Sequence, residues 1–134
     1  MKQNENFEVI YSYTRKQALE DGELVDVTEW ASTKKGFIGG FTCPVALTRA
    51  LWFAIQALPT YGRGLEDVRG RAHDVLWMAS LALRKALKVE EQETLFKLIL
   101  PRKGTAEREV ELLIMLHGGD EGEPVVTIGF PEDF

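Results

Sequence analysis

Apolar and polar residues alternate most clearly in the last third of the chain. Three segments there, ETLFKLILP, REVELLIML and EPVVTIGF, show the period of two that is typical of β-strands. Short polar stretches separate them, and connections this short favour antiparallel neighbours. The sequence therefore predicts an antiparallel C-terminal meander of three strands, with FEVIYSY (residues 7–13) as a fourth strand.

Two other segments carry apolar residues at helical spacing. The first runs from Pro44, which stands where a first helical residue is preferred, to Pro59. The second runs from Ala72 to Val89, with Asp74 in its first turn and basic residues towards its end, as suits the helix dipole. Segregated strands and helices predict an α+β fold, in which an antiparallel sheet of three to four strands carries two long helices on one face.

The stretch before the first long helix contains signals that start and end a short helix. Thr14 and Gln17 have the spacing of a capping box, which predicts a short helix that Gly22 ends. The segment ELVDVT that follows is either a short strand or an extended connector. Asp26 lies between two valines there, and a buried carboxylate needs a partner, so we expect a buried polar pair of Asp26 with Arg49.

Length and composition limit the classes of protein that need to be considered. A chain of 134 residues with 45% hydrophobic residues fits a single domain over residues 1–134 and is too apolar for disorder. The single cysteine, Cys43, excludes an intramolecular disulfide. No segment has the character of a signal peptide or a membrane span, so we expect a cytoplasmic protein without membrane contact.

Charge is distributed unevenly along the chain. The net charge is −5, and residues 105–134 hold eight acidic residues and one basic residue. This composition argues against binding to phosphate backbones through that region, and it leaves two explanations, solubility or a basic partner. For a basic partner, we expect one exposed acidic face formed by Glu109, Glu111, Asp120, Glu121 and Glu123.

Positive charge is densest in the segment PTYGRGLEDVRGR, predicted to be a loop over residues 59–71. Arg63, Arg69 and Arg71 lie there with Tyr61 beside them, which is a possible contact surface for nucleic acid or an acidic protein. Solvation with local ion pairs explains the same residues. The segment matches neither a P-loop nor a dinucleotide-binding fingerprint.

Residues suited to catalysis do not form a recognised motif. Neighbouring helical residues point about 100° apart, so His73 and Asp74 do not face each other. One cysteine and two distant histidines match no zinc spacing, and HGGDEGE lacks the ligand order of an EF-hand, so no metal and no cofactor is predicted. An enzyme would need a pocket around Asp26, Arg49 and Asp74, joined by Tyr11 and His73.

Several segments in order resemble a known family. They are YSYTRKQALEDGELVDVTEWA, GFTCPVALTRALW, RGRAHDVLWMASLALRKA and GEPVVTIGF. Together they are similar to small uncharacterised bacterial proteins, a domain of unknown function found in phage, plasmid and other mobile-element contexts. The resemblance implies a self-contained accessory protein and assigns no catalytic residue.

These observations predict a non-catalytic protein-binding accessory factor of a mobile element, and a homodimer is compatible with that role. One specific form is an inhibitor of a host nucleic-acid-binding or defence complex, acting through the acidic face. The first alternative is a small enzyme with the pocket around Asp26, Arg49 and Asp74. The second is nucleic-acid binding through the arginine-rich loop 59–71.

Overall fold

A computed structural model describes residues 13–32, 40–56, 65–102 and 105–134. Four helices are present in these ranges: α1 (Arg15–Asp21), α2 (Thr28–Ala31), α3 (Arg49–Gln56) and α4 (Leu65–Lys88). The strands are β1 (Leu24–Asp26), β2 (Val45–Thr48), β3 (Glu93–Arg102), β4 (Thr105–Gly118) and β5 (Pro124–Gly129), followed by a 3-10 turn at Pro131–Asp133. The strand predicted over residues 7–13 lies outside the described residues, apart from Tyr13.

The sheet has five strands in the order β1-β2-β5-β4-β3. Antiparallel pairing of β3 with β4 and of β4 with β5 confirms the predicted meander. The predicted antiparallel sheet of three to four strands is matched only in part. The sheet has five strands, and β2 pairs in parallel with β5 and antiparallel with β1, which lies at its edge. The strand alternative for ELVDVT is confirmed by β1.

The predicted helix beginning at Pro44 was also wrong in its first turn. Val45–Thr48 form β2, and all four residues are buried. A short continuous apolar run of this kind has no period that separates a buried strand from a helix, and pairing with two neighbouring strands decides the outcome. The helix α3 begins only at Arg49, and the N–H of Leu51 donates to Thr48 Oγ1 (3.4 Å) at its start.

Of the two long helices predicted, only α4 is long within the described ranges, since α3 has eight residues. The 24 residues of α4 extend for about 36 Å. It begins seven residues before the predicted start at Ala72, because part of the expected arginine-rich loop forms its first turns. Val75, Leu76, Ala79 and Leu83 form its buried stripe, and the helix packs against β3 and β4.

The hydrophobic core lies between α2, α3, α4 and one face of the sheet. Burial of each large side chain there contributes about 1.5–3 kcal/mol. Its fully buried members include Leu47, Leu51, Ile55, Leu76, Leu112, Ile114 and Ile128. On the opposite face of the sheet, α1 packs against β1 and bonds through Arg15 to β5, and its Ala18 is buried.

Candidate functional site

The part of the sheet formed by β3 and β4 carries the most distinctive exposed surface. Residues that stand opposite each other in an antiparallel pair project from the same face. Outward side chains of the two strands thus form a surface that we call the β3–β4 outer face: Glu93, Leu95, Lys97, Ile99, Glu109, Glu111, Leu113 and Met115.

Two large apolar side chains stand out on this surface. Leu95 is 51% exposed and Ile99 is 64% exposed, although the alternate residues Phe96 and Leu98 are buried against the helices. Leu113, opposite Leu95, is half-buried and extends the apolar area. Apolar side chains grouped on a flat sheet face and flanked by charges are typical of a protein interaction site.

The expected single acidic face is not formed, although all five of its residues are exposed. Glu109 and Glu111 lie on the β3–β4 outer face, where Glu111 stands opposite Lys97. The other three, Asp120, Glu121 and Glu123, lie in the turn between β4 and β5. Because β4 is extended, this turn begins about 24 Å beyond Glu111 along the strand. The acids therefore form two separate groups.

The acidic turn between β4 and β5 forms hydrogen bonds that hold the start of α1. Asp120 accepts hydrogen bonds from the backbone N–H groups of Arg15 (2.7 Å) and Lys16 (2.9 Å), at the first residues of α1. These bonds, the one from Lys16 first, lower the pKa of the Asp120 carboxyl. Glu123 accepts a bond from the N–H of Glu121 (2.9 Å) within the turn. Asp120 and Glu123 are thus engaged in holding local structure.

A polar network beneath α1 was not predicted from the sequence. Arg15 donates through Nη1 to Thr127 Oγ1 (2.8 Å) and through Nη2 to the carbonyl of Val126 (3.0 Å). His117 Nε2 lies 2.8 Å from the same Thr127 hydroxyl, and its Nδ1 lies 3.1 Å from the Gly118 carbonyl. Only the capping box hinted at α1, and nothing in the sequence linked residue 15 to residue 127.

The proton arrangement in this network follows from its donors and acceptors. The Gly118 carbonyl can only accept, so His117 carries its proton on Nδ1 when neutral, and Nε2 accepts from the Thr127 hydroxyl. The hydroxyl in turn accepts from Arg15. Burial is the largest effect on Arg15 and lowers the pKa of its guanidinium, while Asp26 and Asp120 act in the opposite direction. The two bonds from Arg15 fasten α1 to β5, and His117 adds a bond to the same Thr127 hydroxyl.

The buried pair expected between Asp26 and Arg49 is not formed. Asp26 is exposed and accepts bonds from the N–H and the hydroxyl of Thr28, a local turn that ends β1 and begins α2. Arg49 instead pairs with Glu23 (3.2 Å), and its guanidinium lies 5.8 Å from the ring centre of Phe53. Asp26 lies on the same sheet face as Thr127 but is itself exposed, so burial does not require a partner for it.

Arg49 lines an open pocket of about 520 Å³ at the end of β2. The side chain of Tyr13 also lines it and donates to Asp21 (2.7 Å), a bond that raises the pKa of Tyr13 to about 12. Neither Asp26 nor Asp74 reaches this pocket. The predicted catalytic set is therefore not gathered in the part of the chain that the structure describes, and Tyr11 lies outside it.

His73 and Asp74 are both exposed on α4, with His73 Nδ1 3.9 Å from Asp74 Oδ1. Cys43 precedes a strand and not a helix, and burial raises the pKa of its thiol. Within the described ranges, no group of three potential metal ligands occurs.

The three arginines do not form a common patch in the described ranges. Arg63 lies outside them. Arg69 and Arg71 belong to α4, about 200° apart around its axis. The guanidinium of Arg69 lies 5.8 Å from the ring centre of Trp30, and Arg71 Nε donates to the Ile55 carbonyl (2.8 Å) near the end of α3. Both described arginines thus make contacts within the chain.

Comparison with known proteins places the chain in a family but gives no activity. Among the residues that the structure describes, no helix combines the length and apolarity needed to cross a membrane. No curated protein and no solved structure matches the chain. A family model, by contrast, matches residues 1–134, and the chain therefore belongs to DUF6573, a family of unknown function.

Proposed function

We propose that this protein is a non-catalytic binding factor whose β3–β4 outer face contacts a protein partner. The observation that carries the proposal is the exposure of Leu95 and Ile99 on the β3–β4 outer face, on the side of β3 opposite to the buried Phe96 and Leu98. Burying these side chains in an interface supplies a hydrophobic driving force of about 25 cal/mol per Å² of apolar surface. Interfaces of this kind have an apolar centre and a polar rim.

The charges on the β3–β4 outer face define the chemistry of the partner. Glu93, Glu109 and Glu111 face outwards with a single base, Lys97. A complementary partner presents apolar residues flanked by lysine or arginine, because charge complementarity speeds encounter and selects the correct register. Such a partner matches the basic-partner explanation of the acidic C-terminal region.

The biological setting belongs to the same proposal. The resemblance to proteins of phages and plasmids supports an accessory role in a mobile element. Nucleic-acid-binding proteins of a host carry the basic surfaces that the β3–β4 outer face would select, so inhibition of a host nucleic-acid-binding or defence complex is the specific form of this role. Only Glu109 and Glu111 among the five predicted acids lie on that surface.

The test is affinity purification of the tagged protein from its native host, with matched surface variants. Leu95→Ser with Ile99→Ser removes the apolar centre of the β3–β4 outer face. Met78→Ser with Leu81→Ser removes two exposed apolar side chains of α4 as the control. We expect a stoichiometric protein partner that the first variant loses and the control retains. Recovery of the partner by both variants, or purification without a partner, would contradict the proposal.

The pocket beside Arg49 supports a second candidate, binding or conversion of a small molecule. Arg49, Glu23 and Asp133 supply charges of both signs, with the aromatic rings of Tyr13 and Phe53 in the same lining. This differs from the predicted enzyme site by the loss of Asp26 and Asp74. A thermal-shift screen of metabolites against the protein and its Arg49→Ala variant tests it. Stabilisation that requires Arg49 would favour this candidate over the first.

A further inference from the structure

The outer edge of β3 is open for pairing with another strand. β3 is last in the order of the sheet, so within the described ranges no strand lies beside that edge. The N–H of Leu116 in β4 donates to the Gln92 carbonyl (2.7 Å). Because bonding alternates along an antiparallel strand, even-numbered residues of β3 bond to β4 and odd-numbered residues direct their N–H and C=O groups outwards. These outward residues are Glu93, Leu95, Lys97 and Ile99.

The side chains of these residues are complementary to those of a second, antiparallel copy of β3. In an antiparallel pair centred on Leu95, Glu93 of one strand stands opposite Lys97 of the other, and the relation repeats by symmetry. Within the described ranges, neither Glu93 nor Lys97 forms an ion pair with another side chain of its own chain. Both charges are therefore available across the edge.

We infer that two copies of this chain associate through antiparallel pairing of their β3 edges, with Leu95 opposite Leu95 and Glu93 opposite Lys97 of the second copy. Three residue pairs then exchange two backbone hydrogen bonds each. The two five-stranded sheets join into one continuous sheet. Lys97, which would oppose pairing with an unrelated strand, meets a carboxylate in this register.

Other registers are disfavoured by charge. Sliding the second copy two residues towards the end of β3 puts Leu95 opposite Lys97 and Glu93 opposite Ile99, so neither charge is paired. Sliding it by four residues puts Lys97 opposite Lys97, which is repulsive. That register also sets Pro101, which has no N–H, opposite Glu93.

Sliding the second copy towards the start of β3 is disfavoured because a backbone N–H there is already engaged. It would draw Glu91 into the pairing, and the N–H of Glu91 already donates to the Ala86 carbonyl (2.9 Å) at the end of α4. The register centred on Leu95 is thus the one that uses strand residues throughout and pairs both charges.

This self-association goes beyond the proposed partner binding and is tested separately from it. The two share residues of β3, but the dimer requires the backbone groups at the edge of β3 and the charges of Glu93 and Lys97, whereas the partner experiment removes Leu95 and Ile99. Dimerisation is measured with the purified chain alone, so its failure leaves the partner experiment unaffected, and the reverse also holds.

Sedimentation equilibrium of the full chain and its charge variants tests the inference. Lys97→Glu places a carboxylate opposite Glu93 of the second copy, and we expect dimerisation to weaken about tenfold or more, since both symmetric pairs become repulsive. The double variant Glu93→Lys with Lys97→Glu restores opposite charges, and we expect a dissociation constant within about threefold of the parent. Residues 93 and 97 are about 13 Å apart along one strand, so this rescue can arise only between copies.

Two further variants and a check of folding serve as controls for this experiment. Lys88→Glu makes the same charge change at the end of α4 and should leave dimerisation unchanged. Glu93→Lys gives the same disruption as Lys97→Glu without placing like charges opposite Glu111 within the chain. Circular dichroism confirms that each variant is folded. A monomeric parent, a Lys97→Glu variant that dimerises like the parent, or a folded double variant without rescue would each overturn the inference.

Discussion

The lack of a side chain at Gly129 allows β5 to approach β2 closely, just before the C-terminal 3-10 turn. A Cβ placed on Gly129 would lie only 2.3 Å from Thr48 Cγ2, so the close approach of β5 to β2 requires glycine at this position. The Thr48 hydroxyl donates to Asp133 Oδ2 (2.6 Å), and the N–H of Phe130 donates to the same carboxylate oxygen (2.9 Å). The contact therefore joins the 3-10 turn after β5 to the buried strand β2.

Gly129→Ala should destabilise the protein. The added methyl group forces Thr48 or the backbone to move, which costs about 1–3 kcal/mol of unfolding free energy. Gly70→Ala is the matched control, because a Cβ at Gly70 meets nothing within 4 Å and alanine is favoured in a helix by about 1 kcal/mol. Urea unfolding of both variants measures the effects, and equal stabilities would refute this account of Gly129.

Asp120 predicts a pH dependence of stability. Its pKa is lowered in the folded state, so its contribution is present above the ordinary carboxyl value of about 4 and is lost as the pH falls through the folded-state pKa. Asp120→Asn should therefore lower the unfolding free energy at about pH 7, with a deficit that shrinks on acidification below about pH 4. Urea unfolding across this range measures it. Glu121→Gln in the same turn is the control, and a deficit independent of pH would contradict the assignment.

At the scale of elements, the short helix α1 depends on groups far away in the chain. Its first amides are held by Asp120, and Arg15 reaches Thr127 and the Val126 carbonyl on β5. A helix of seven residues is not stable in isolation, because too few hydrogen bonds follow its nucleation. Tertiary contacts at its N-terminus therefore decide whether it forms.

Thr127→Val tests this dependence. Valine keeps the shape of the buried threonine but leaves Arg15 Nη1 and His117 Nε2 without their shared partner, which costs about 1–3 kcal/mol of unfolding free energy. Amide hydrogen exchange in α1 should also accelerate. Thr94→Val, whose hydroxyl bonds only to the neighbouring Leu95 carbonyl, should change stability by less than about 0.5 kcal/mol. Similar losses in the two variants would argue against the network.

Local patterns in the sequence predicted some helices and strands correctly and others wrongly. Alternation identified β3, β4 and β5, and the capping box of Thr14 with Gln17 identified α1, because both signals are carried by neighbouring residues. The strand β2 was mistaken for helix because its identity comes from β1 and β5, which flank it in space. The expected partner of Asp26 was wrong for the same reason, since exposure is set by the strand's place in the sheet.

At the scale of the whole molecule, the face of the sheet opposite the core is divided into two halves. The half at β1 and β5 is fastened to α1, whereas the half at β3 and β4 leaves Leu95 and Ile99 exposed. The candidate site follows from this division. Glu109 and Glu111 could be predicted from the local charge pattern, but the exposure of Leu95 and Ile99 depends on which face of β3 packs against α4.

Self-pairing through β3 predicts a concentration-dependent pattern of hydrogen exchange. In dilute monomer, the amides of Leu95 and Lys97 should exchange quickly, whereas those of Phe96 and Leu98 are protected by β4. Raising the protein concentration should protect Leu95 and Lys97 while leaving Phe96 and Leu98 unchanged. Exchange measured by NMR at two concentrations resolves these residues. Protection of all four amides at every concentration would rule out the open edge.

The position of β5 in the sheet has a consequence for synthesis on the ribosome. β5 is the last described strand in the chain, yet it stands at the centre of the order, between β2 and β4. While it remains inside the ribosome, the N-terminal pair β1–β2 cannot join the β3–β4 hairpin, and Arg15 lacks its anchor on β5. Assembly of the five-stranded sheet therefore waits until β5 has left the ribosome, and the strands made before it stay without their central neighbour until then.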